Sequence, residues 1–106
     1  MNMEKNSSLL PACALFERFG SRWALLALFA LRDRKVLRFS ELVRNIPGGI
    51  SERMLAATVR DLEQAGLVAR KVYPEVPPRV EYRLTPKGES LVPLLEQLFE
   101  WAEKNA

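Results

Sequence analysis

The charged and reactive side chains of this 106-residue chain are mostly cations, with 16 Lys and Arg against 13 Asp and Glu. The chain contains no histidine and a single cysteine, Cys13. This composition removes the usual transition-metal sites and the histidine-based acid–base and triad mechanisms. No glycine-rich phosphate loop and no isolated carboxylate pair stands out. The sequence therefore predicts a protein that is not an enzyme, with no catalytic residues, no metal site and no cofactor.

The cations are concentrated in the middle of the chain. Between Arg32 and Arg83 there are eleven Lys and Arg and seven Asp and Glu, a net charge of +4, whereas the whole chain carries +3. Most surface charges are merely solvated, but an excess of this sign in one segment favours a polyanionic partner. The distribution therefore points to nucleic acid.

Capping residues and apolar periodicity predict the helices that carry these cations. A first helix is expected from Leu9 to the stop at Gly20. Ser21 then caps a second helix, "RWALLALFALRDR", which is apolar nearly all round and is therefore expected to be central. Ser40 is expected to cap a short helix, "ELVRNI", which the turn "PGG" ends.

A longer helix, "ERMLAATVRDLEQAG", follows that turn. Ser51 is a good N-cap for it, and Gly66 is well placed to end it. Leu55, Val59 and Leu62 follow the spacing of one helix face, so we expect them to form its inward stripe.

A β-hairpin and a last helix complete the chain. Val80 and Tyr82 alternate with polar residues, as in a half-buried strand, and the tip "PEVPP" separates them from an earlier β-prone run. Thr85 is expected to cap the last helix, with Pro86 at its first position. Pro93 is expected to kink this helix or divide it in two.

A short helix joined by a glycine turn to a longer capped helix is a helix-turn-helix, and a hairpin directly after it is a wing. The predicted fold class is therefore mainly α with a small β-hairpin, a winged helix-turn-helix. Residues 1–8 are expected to form a flexible segment and residues 9–106 one domain. Within it lie a DNA-binding motif at 39–65, the wing at 67–85 and a C-terminal dimerisation helix at 86–105.

The cysteine content and the hydropathy pattern predict the cellular location of the protein. A single cysteine favours a reducing one, so we expect a cytoplasmic protein. The longest apolar run, residues 23–31, is far shorter than the roughly 20 residues that span a bilayer, so no membrane association is expected.

From Pro11 to Trp101 the chain resembles the HxlR-type winged helix-turn-helix transcriptional regulators of bacteria. The resemblance rests on "GSRWALLALFAL", on "LRFSELVRNIPGGISERMLAATVRDLEQAGLVARKVYPEVPPRVEYRLTPKGESLVPLL" and on the closing "WAEK". It implies a homodimer that binds pseudo-palindromic operator DNA, with the terminal helices building the dimer interface. We expect this dimer to be a transcriptional regulator that acts as a repressor. Many such regulators have a "CP" pair with a sensor cysteine, but Leu9 and Leu10 stand at that place here.

In helix-turn-helix proteins the N-terminal part of the second helix enters the major groove, cations meet phosphates, and base edges give specificity. The expected base contacts are Ser51, Arg53, Ala57 and Thr58, with Arg53 reading a guanine. The expected phosphate contacts are Arg34, Lys35, Arg38, Ser40 and Arg60. The expected wing contacts are Lys71, Pro77, Pro78 and Arg79, with Arg79 at the tip reaching into the minor groove.

The last helix carries more apolar surface than one core face requires, so a dimer is favoured over a buried terminal helix in a monomer. The expected interface comprises Leu9, Leu10, Leu91, Leu95, Leu98, Phe99, Trp101 and Ala102. The apolar neighbours of Cys13 favour a buried thiol that packs in the core, and thiol sensing is the alternative.

Two other functions stay open from the sequence. One is a winged-helix module that binds a protein through its hairpin, since Ala56 and Ala57 offer little for direct base readout. The other is a dimer that senses an unidentified small-molecule effector in a pocket between the terminal helices. Trp23 and Trp101 are the candidates to line such a pocket, although packing in the core is the favoured role for both.

Overall fold

The computed structural model describes the backbone of residues 3–106 and the side chains from Ser8 onward. These residues form five helices and three strands. They are α1 (Met3–Phe19), α2 (Arg22–Arg34), β1 (Val36–Arg38), α3 (Phe39–Asn45), α4 (Glu52–Gln64), β2 (Val68–Tyr73), β3 (Arg79–Leu84) and α5 (Pro86–Asn105). The strands form one antiparallel sheet in the order β1-β3-β2. The predicted mainly helical, winged helix-turn-helix fold is confirmed.

The first helix is longer than the sequence indicated. Residues 1 and 2 of the predicted flexible segment lie outside the described residues, and α1 begins at Met3, six positions before the expected start at Leu9. Residues 3–8 contain neither proline nor glycine, so nothing in their backbone preferences ends the helix earlier.

Helix starts are set by side-chain caps, most of them at the predicted positions. Ser21, Ser51 and Thr85 each accept a hydrogen bond of 3.1 Å from the amide three residues later. The predicted cap at Ser40 is wrong, because α3 starts one residue before it, at Phe39. The amide of Arg38 donates to the carboxylate of Glu41 at 2.8 Å, which stabilises this earlier start.

The sheet contains a third strand, β1, in addition to the two strands of the predicted hairpin. Residues of β1 pair with β3, with Leu37 opposite Tyr82 and Arg38 opposite Glu81. Leu37 and Tyr82 are both buried, so this pairing closes the core beneath the wing. Because β1 runs directly into α3, the wing is joined through backbone hydrogen bonds to the start of the helix-turn-helix unit.

The core lies between α2, α4, α5 and the inner face of the sheet. Ala24, Ala27, Leu28 and Leu31 of α2 are buried, which confirms the central position expected for this helix. The final helix is not divided, because α5 continues through Pro93 for 20 residues. No helix in the described part of the chain is long and apolar enough to cross a bilayer.

The C-terminal end of α4 is locked to the start of α5. Gly66 has a φ of +75°, and the amide of Leu67 donates back to the carbonyl of Leu62 at 3.0 Å, so α4 ends in a Schellman turn. The hydroxyl of Thr85 donates to the Gly66 carbonyl at 2.5 Å. A Cβ on Gly88 would clash with the backbone carbonyl oxygen of Leu67, so this close approach requires glycine.

Candidate nucleic-acid interface

The turn between α3 and α4 sets the direction of the second helix. Gly48 and Gly49 have φ values of 100° and 73°, a backbone conformation that glycine adopts without strain. A Cβ on Gly48 would lie 3.2 Å from the ring of Trp23, so the turn packs against α2. Ser51 then caps α4, whose inward stripe of Leu55, Val59 and Leu62 is fully buried, as predicted.

The outward face of α4 combines arginines with small or flexible apolar side chains. Arg53, Ala57 and Arg60 follow the spacing i, i+4, i+7, and all three are exposed. Met54 is 46% exposed beside them and was not among the predicted base contacts. Its position directly before the inward Leu55 was the signal that could have found it. Guanidinium groups suit guanine edges, and the apolar side chains suit thymine methyl groups.

Thr58 does not belong to this face, which corrects its predicted contact with a base. It is 6% exposed, and its hydroxyl donates to the carbonyl of Met54 at 2.8 Å. Its position beside the inward Leu55 and Val59 turns its side chain toward the core. Ser51 stays exposed, but its oxygen already accepts from the Met54 amide, so the hydroxyl has mainly its hydrogen to offer a ligand.

The predicted phosphate contacts are all exposed. Arg38 and Ser40 flank the start of α3, whereas Arg34 and Lys35 lie at the end of α2. Within the described residues, none of Arg34, Lys35, Arg38 and Arg60 forms an ion pair. Their charges are therefore available to an external anion.

The wing uses its predicted contact residue Arg79 differently. Arg79 is the first residue of β3 rather than a tip residue, and its guanidinium carbon lies 4.0 Å from the centre of the Tyr73 ring. Its Nη2 is 3.3 Å from Glu75, and its buried Nε is 3.6 Å from Glu81. Lys71 also lies over the Tyr73 ring, at 4.9 Å. The predicted position of Arg79 at the tip is therefore wrong, because Arg79 belongs to β3 and its neighbours hold it against the sheet.

The tip itself is apolar. Pro77 and Pro78 are exposed, as their predicted role requires, and Val76 beside them is fully exposed. Val76 therefore gives the tip an exposed branched aliphatic group, next to the carboxylate of Glu75, which pairs with Arg79.

The terminal helices expose a broad apolar surface, but Leu91, Leu95 and Phe99 of the predicted interface are not among its exposed residues. Leu95 is 4% exposed and belongs to the core, because α5 turns it toward α2 with Val92. Leu91 is half-buried, and Phe99 packs edge-on against Phe29 at 5.0 Å. The large exposed side chains are Leu9, Leu10, Phe16, Leu94, Leu98 and Trp101, of which Phe16 and Leu94 were not among the predicted interface residues. We name these six residues the apolar face; Ala102 is exposed near it.

Two other predictions for this region are also corrected. Cys13 is exposed, so the predicted burial of its thiol in the core of the chain is wrong. An apolar cavity of about 270 Å³ does lie between α1 and α5, lined by residues such as Leu15, Phe16 and Leu91. Neither Trp23 nor Trp101 lines it, because Trp23 packs on the core and Trp101 points to solvent.

The element order and the turn between α3 and α4 define the class of this protein as a winged helix-turn-helix protein. The chain belongs to the HxlR-like helix-turn-helix family, which it matches over residues 18–106. An HTH-type transcriptional regulator of Methanothermobacter thermautotrophicus is 56% identical over 84 residues, which are 79% of this chain and 63% of that protein. The chain thus spans less than two thirds of that relative's length.

Two further relatives agree with this assignment. The HTH-type transcriptional regulator YtfH of Escherichia coli is 46% identical over 95 residues, 90% of this chain and 74% of that protein. The structure of the redox regulator HypR in its reduced form superimposes with a TM-score of 0.78 at 39% identity, covering 90% of this chain and 92% of HypR. The first two relatives are named as HTH-type transcriptional regulators and the third as a redox regulator, which agrees with the prediction that this chain is not an enzyme.

Proposed function

We propose that the chain is a sequence-specific regulator of transcription that binds duplex DNA with α4 in the major groove. The observation that carries this proposal is the outward face of α4, where Arg53 and Arg60 form no ion pair within the described residues. Ala57 and Met54 lie beside them and are exposed. An arginine can donate two hydrogen bonds to a guanine, and the apolar pair suits a thymine methyl.

We propose that the other exposed groups fix the protein on the DNA backbone. Arg38 and Ser40 flank the start of α3, and Arg34 and Lys35 supply further charge next to β1. In the wing, Lys71 adds one cation, and the apolar tip with Val76, Pro77 and Pro78 would meet the minor groove. Phosphate contacts orient a protein without reading the sequence, so these residues would add affinity more than specificity.

We propose that two copies associate through the apolar face. Leu10, Phe16, Leu94, Leu98 and Trp101 are each more than half exposed, which is a large apolar surface for a chain of 106 residues. A two-fold axis through such a surface would present two α4 helices, so the operator would be pseudo-palindromic. Residues 39–65, 67–85 and 86–105 would then serve as DNA-binding motif, wing and dimerisation helix.

We propose repression as the regulatory outcome, because a dimer seated on two half-sites excludes other proteins from the same base pairs. In transcription with purified components, a preferred site across the promoter should then lower transcript yield. The same site placed far upstream should not. Increased yield at either position would contradict repression.

The test of the central proposal is selection from a pool of randomised duplexes followed by fluorescence anisotropy across salt. A regulator should enrich a two-fold symmetric sequence and bind it with log affinity falling by about 0.9 per phosphate contacted. If no sequence is enriched, and unrelated duplex binds equally, the proposal fails.

The dimer is tested by analytical ultracentrifugation of Leu98→Glu. Placing a charge in the apolar face should shift the protein to monomer and weaken operator binding, because each half-site alone is bound weakly. Gln97→Glu changes the adjacent exposed residue of α5 and should stay dimeric. A Leu98→Glu protein that remains a dimer would show that the contact lies elsewhere.

A further inference from the structure

A cleft lies between α4 and the strands at the base of the wing. It has a volume of about 340 Å³ and is lined by Arg60 and Glu63 from α4, by Arg70 and Tyr82 from the sheet, and by Phe39 and Val59 beneath them. We name it the α4–wing cleft. The site described above uses one of its polar residues, Arg60, and leaves the others without a role.

The local geometry explains why these side chains converge. Ala56, Arg60 and Glu63 follow the spacing i, i+4, i+7, so they share one face of α4. Arg70 stands directly opposite Tyr82 in the β2–β3 register, so both side chains project from the same side of the sheet. The small side chain of Ala56 leaves room next to Arg60, and the cleft is open there.

The cleft holds more donors than the protein uses. Within the described residues, Arg60 and Arg70 form no ion pair, and the hydroxyl of Tyr82 forms no hydrogen bond although the residue is only 6% exposed. Glu63 is the one carboxylate in the lining, and it lies more than 4.0 Å from both guanidinium groups. Two arginines against one glutamate leave a net charge of +1 on the cleft.

We propose that the α4–wing cleft binds one phosphodiester of the DNA backbone, with Arg60 and Arg70 donating to its two free oxygens and Tyr82 donating through its hydroxyl. This inference rests on the proposed function, because the phosphodiester would belong to the DNA strand that borders the major groove beside α4. Guanidinium groups bind phosphate oxygens in a fork, and a phenol adds a neutral donor. The apolar residues beneath the cleft, Phe39 and Val59, shield the two arginines from bulk water on one side.

In this proposal the two faces of the β2–β3 pair have different roles, and only the inner face contacts a phosphate. Arg70 belongs to the cleft, whereas Arg83 of β3 projects from the outer face, where its Nη2 is 3.6 Å from Glu81. Removing either arginine removes one positive charge from the same sheet. Arg70→Ala and Arg83→Ala therefore form a matched pair that separates a phosphate contact from a change in overall charge.

The first measurement is the salt dependence of binding to the duplex that the wild-type protein selects from a randomised pool. Arg70→Ala should lower the slope of log affinity against log salt by about 0.9 and reduce affinity roughly tenfold at 0.1 M salt. Arg83→Ala should leave the slope at the wild-type value. Tyr82→Phe should weaken binding without changing the slope, because a neutral hydroxyl releases no counterion.

Glu63→Gln should change the affinity for the duplex in the opposite direction. It removes the carboxylate from the cleft, so affinity for the duplex should rise severalfold if a phosphate is bound there. An unchanged or lower affinity would contradict the proposal. Thermal melting of each variant checks that the fold is intact, and Gln at position 63 keeps the size of the side chain.

The second measurement identifies the phosphate. Duplexes with a single neutral methylphosphonate linkage are compared along both strands of the selected sequence. Each contacted linkage should weaken the wild-type protein when it is made neutral, and one of them should weaken Arg70→Ala much less, because Arg60 and Tyr82 alone still contact that phosphate. If every linkage affects both proteins alike, or if Arg70→Ala keeps the wild-type slope, the cleft does not hold a DNA phosphate.

Two further outcomes keep the proposals apart. If the wild-type protein selects no sequence at all, the proposed function itself has failed, and the cleft falls with it. If it selects a sequence and inorganic phosphate raises the melting temperature of the wild-type protein but not of Arg70→Ala, with equal operator slopes, the cleft is a site for a free phosphate. That result would overturn the DNA assignment alone.

Discussion

The outward face of α4 and the outer face of the wing both carry arginines, yet the two surfaces employ them differently. On α4, Arg53 and Arg60 are exposed and form no ion pair within the described residues. On the wing, Arg79 and Arg83 share the carboxylate of Glu81 at 3.6 Å. The first pair is available to an external anion, and the second pair is largely satisfied by the protein itself.

The difference follows from what each element needs for stability. The helix α4 is held by its buried stripe and by the Schellman turn at Gly66, so its outward side chains have no structural task. A two-stranded ribbon is marginal in water, and it gains from cross-strand contacts such as Arg79 on Tyr73. Net charge along the sequence therefore overstates what the wing can offer to DNA.

The largest expected effect comes from a substitution that disrupts the junction between α4 and α5. Gly88→Ala would place a methyl group in a clash with the carbonyl oxygen of Leu67, which is backbone and cannot rotate away. We expect a loss of about 3 kcal/mol in the free energy of unfolding, although alanine is otherwise the better helix former. Urea denaturation measures this loss.

A matched control lies in the same turn of α5. Ser90 is exposed, so Ser90→Ala should change stability by less than about 0.5 kcal/mol. A Gly88→Ala protein as stable as the wild type would mean that the junction of α4 and α5 is not the fixed support inferred here.

The next effect tests the free arginine of α4. Arg53→Ala should weaken operator binding by about 1–3 kcal/mol and relax the preference at one base pair, because a bidentate contact to guanine is lost. Anisotropy with the selected duplex, and with duplexes changed at each position, measures both effects. Lys104→Ala removes the same charge from the end of α5 and should keep the wild-type preference. Equal loss on all duplexes would reduce Arg53 to a phosphate contact.

Local rules were sufficient for much of this fold. The caps at Ser21, Ser51 and Thr85 depend on three neighbouring residues, and the inward stripe of α4 depends on the helical period, so both could be predicted from the sequence. The strand β1 could not, because its only partner is β3, more than forty residues away in the chain. Three residues give no periodicity by which to recognise a strand.

The candidate site was predicted in its location but not in its details. Thr58 was expected to face DNA because it lies in the right helix, yet its hydroxyl bonds to Met54 inside the fold. Leu95 belongs to a wide apolar stripe, and only the packing of α2 decides which part of that stripe is buried. The cleft residues Arg70 and Tyr82 come together through strand register, which no short sequence pattern encodes.

The smallest expected effect comes from Arg79, and it tests whether the wing arginines differ from those of α4. Arg79→Ala should lower the free energy of unfolding by about 1 kcal/mol, since it removes a stack on Tyr73 and ion pairs with Glu75 and Glu81. The salt slope of operator binding should stay at the wild-type value, because this arginine is already neutralised within the sheet. A slope lower by about one would instead make Arg79 a phosphate contact that leaves Tyr73 on binding, and the wing would then resemble α4.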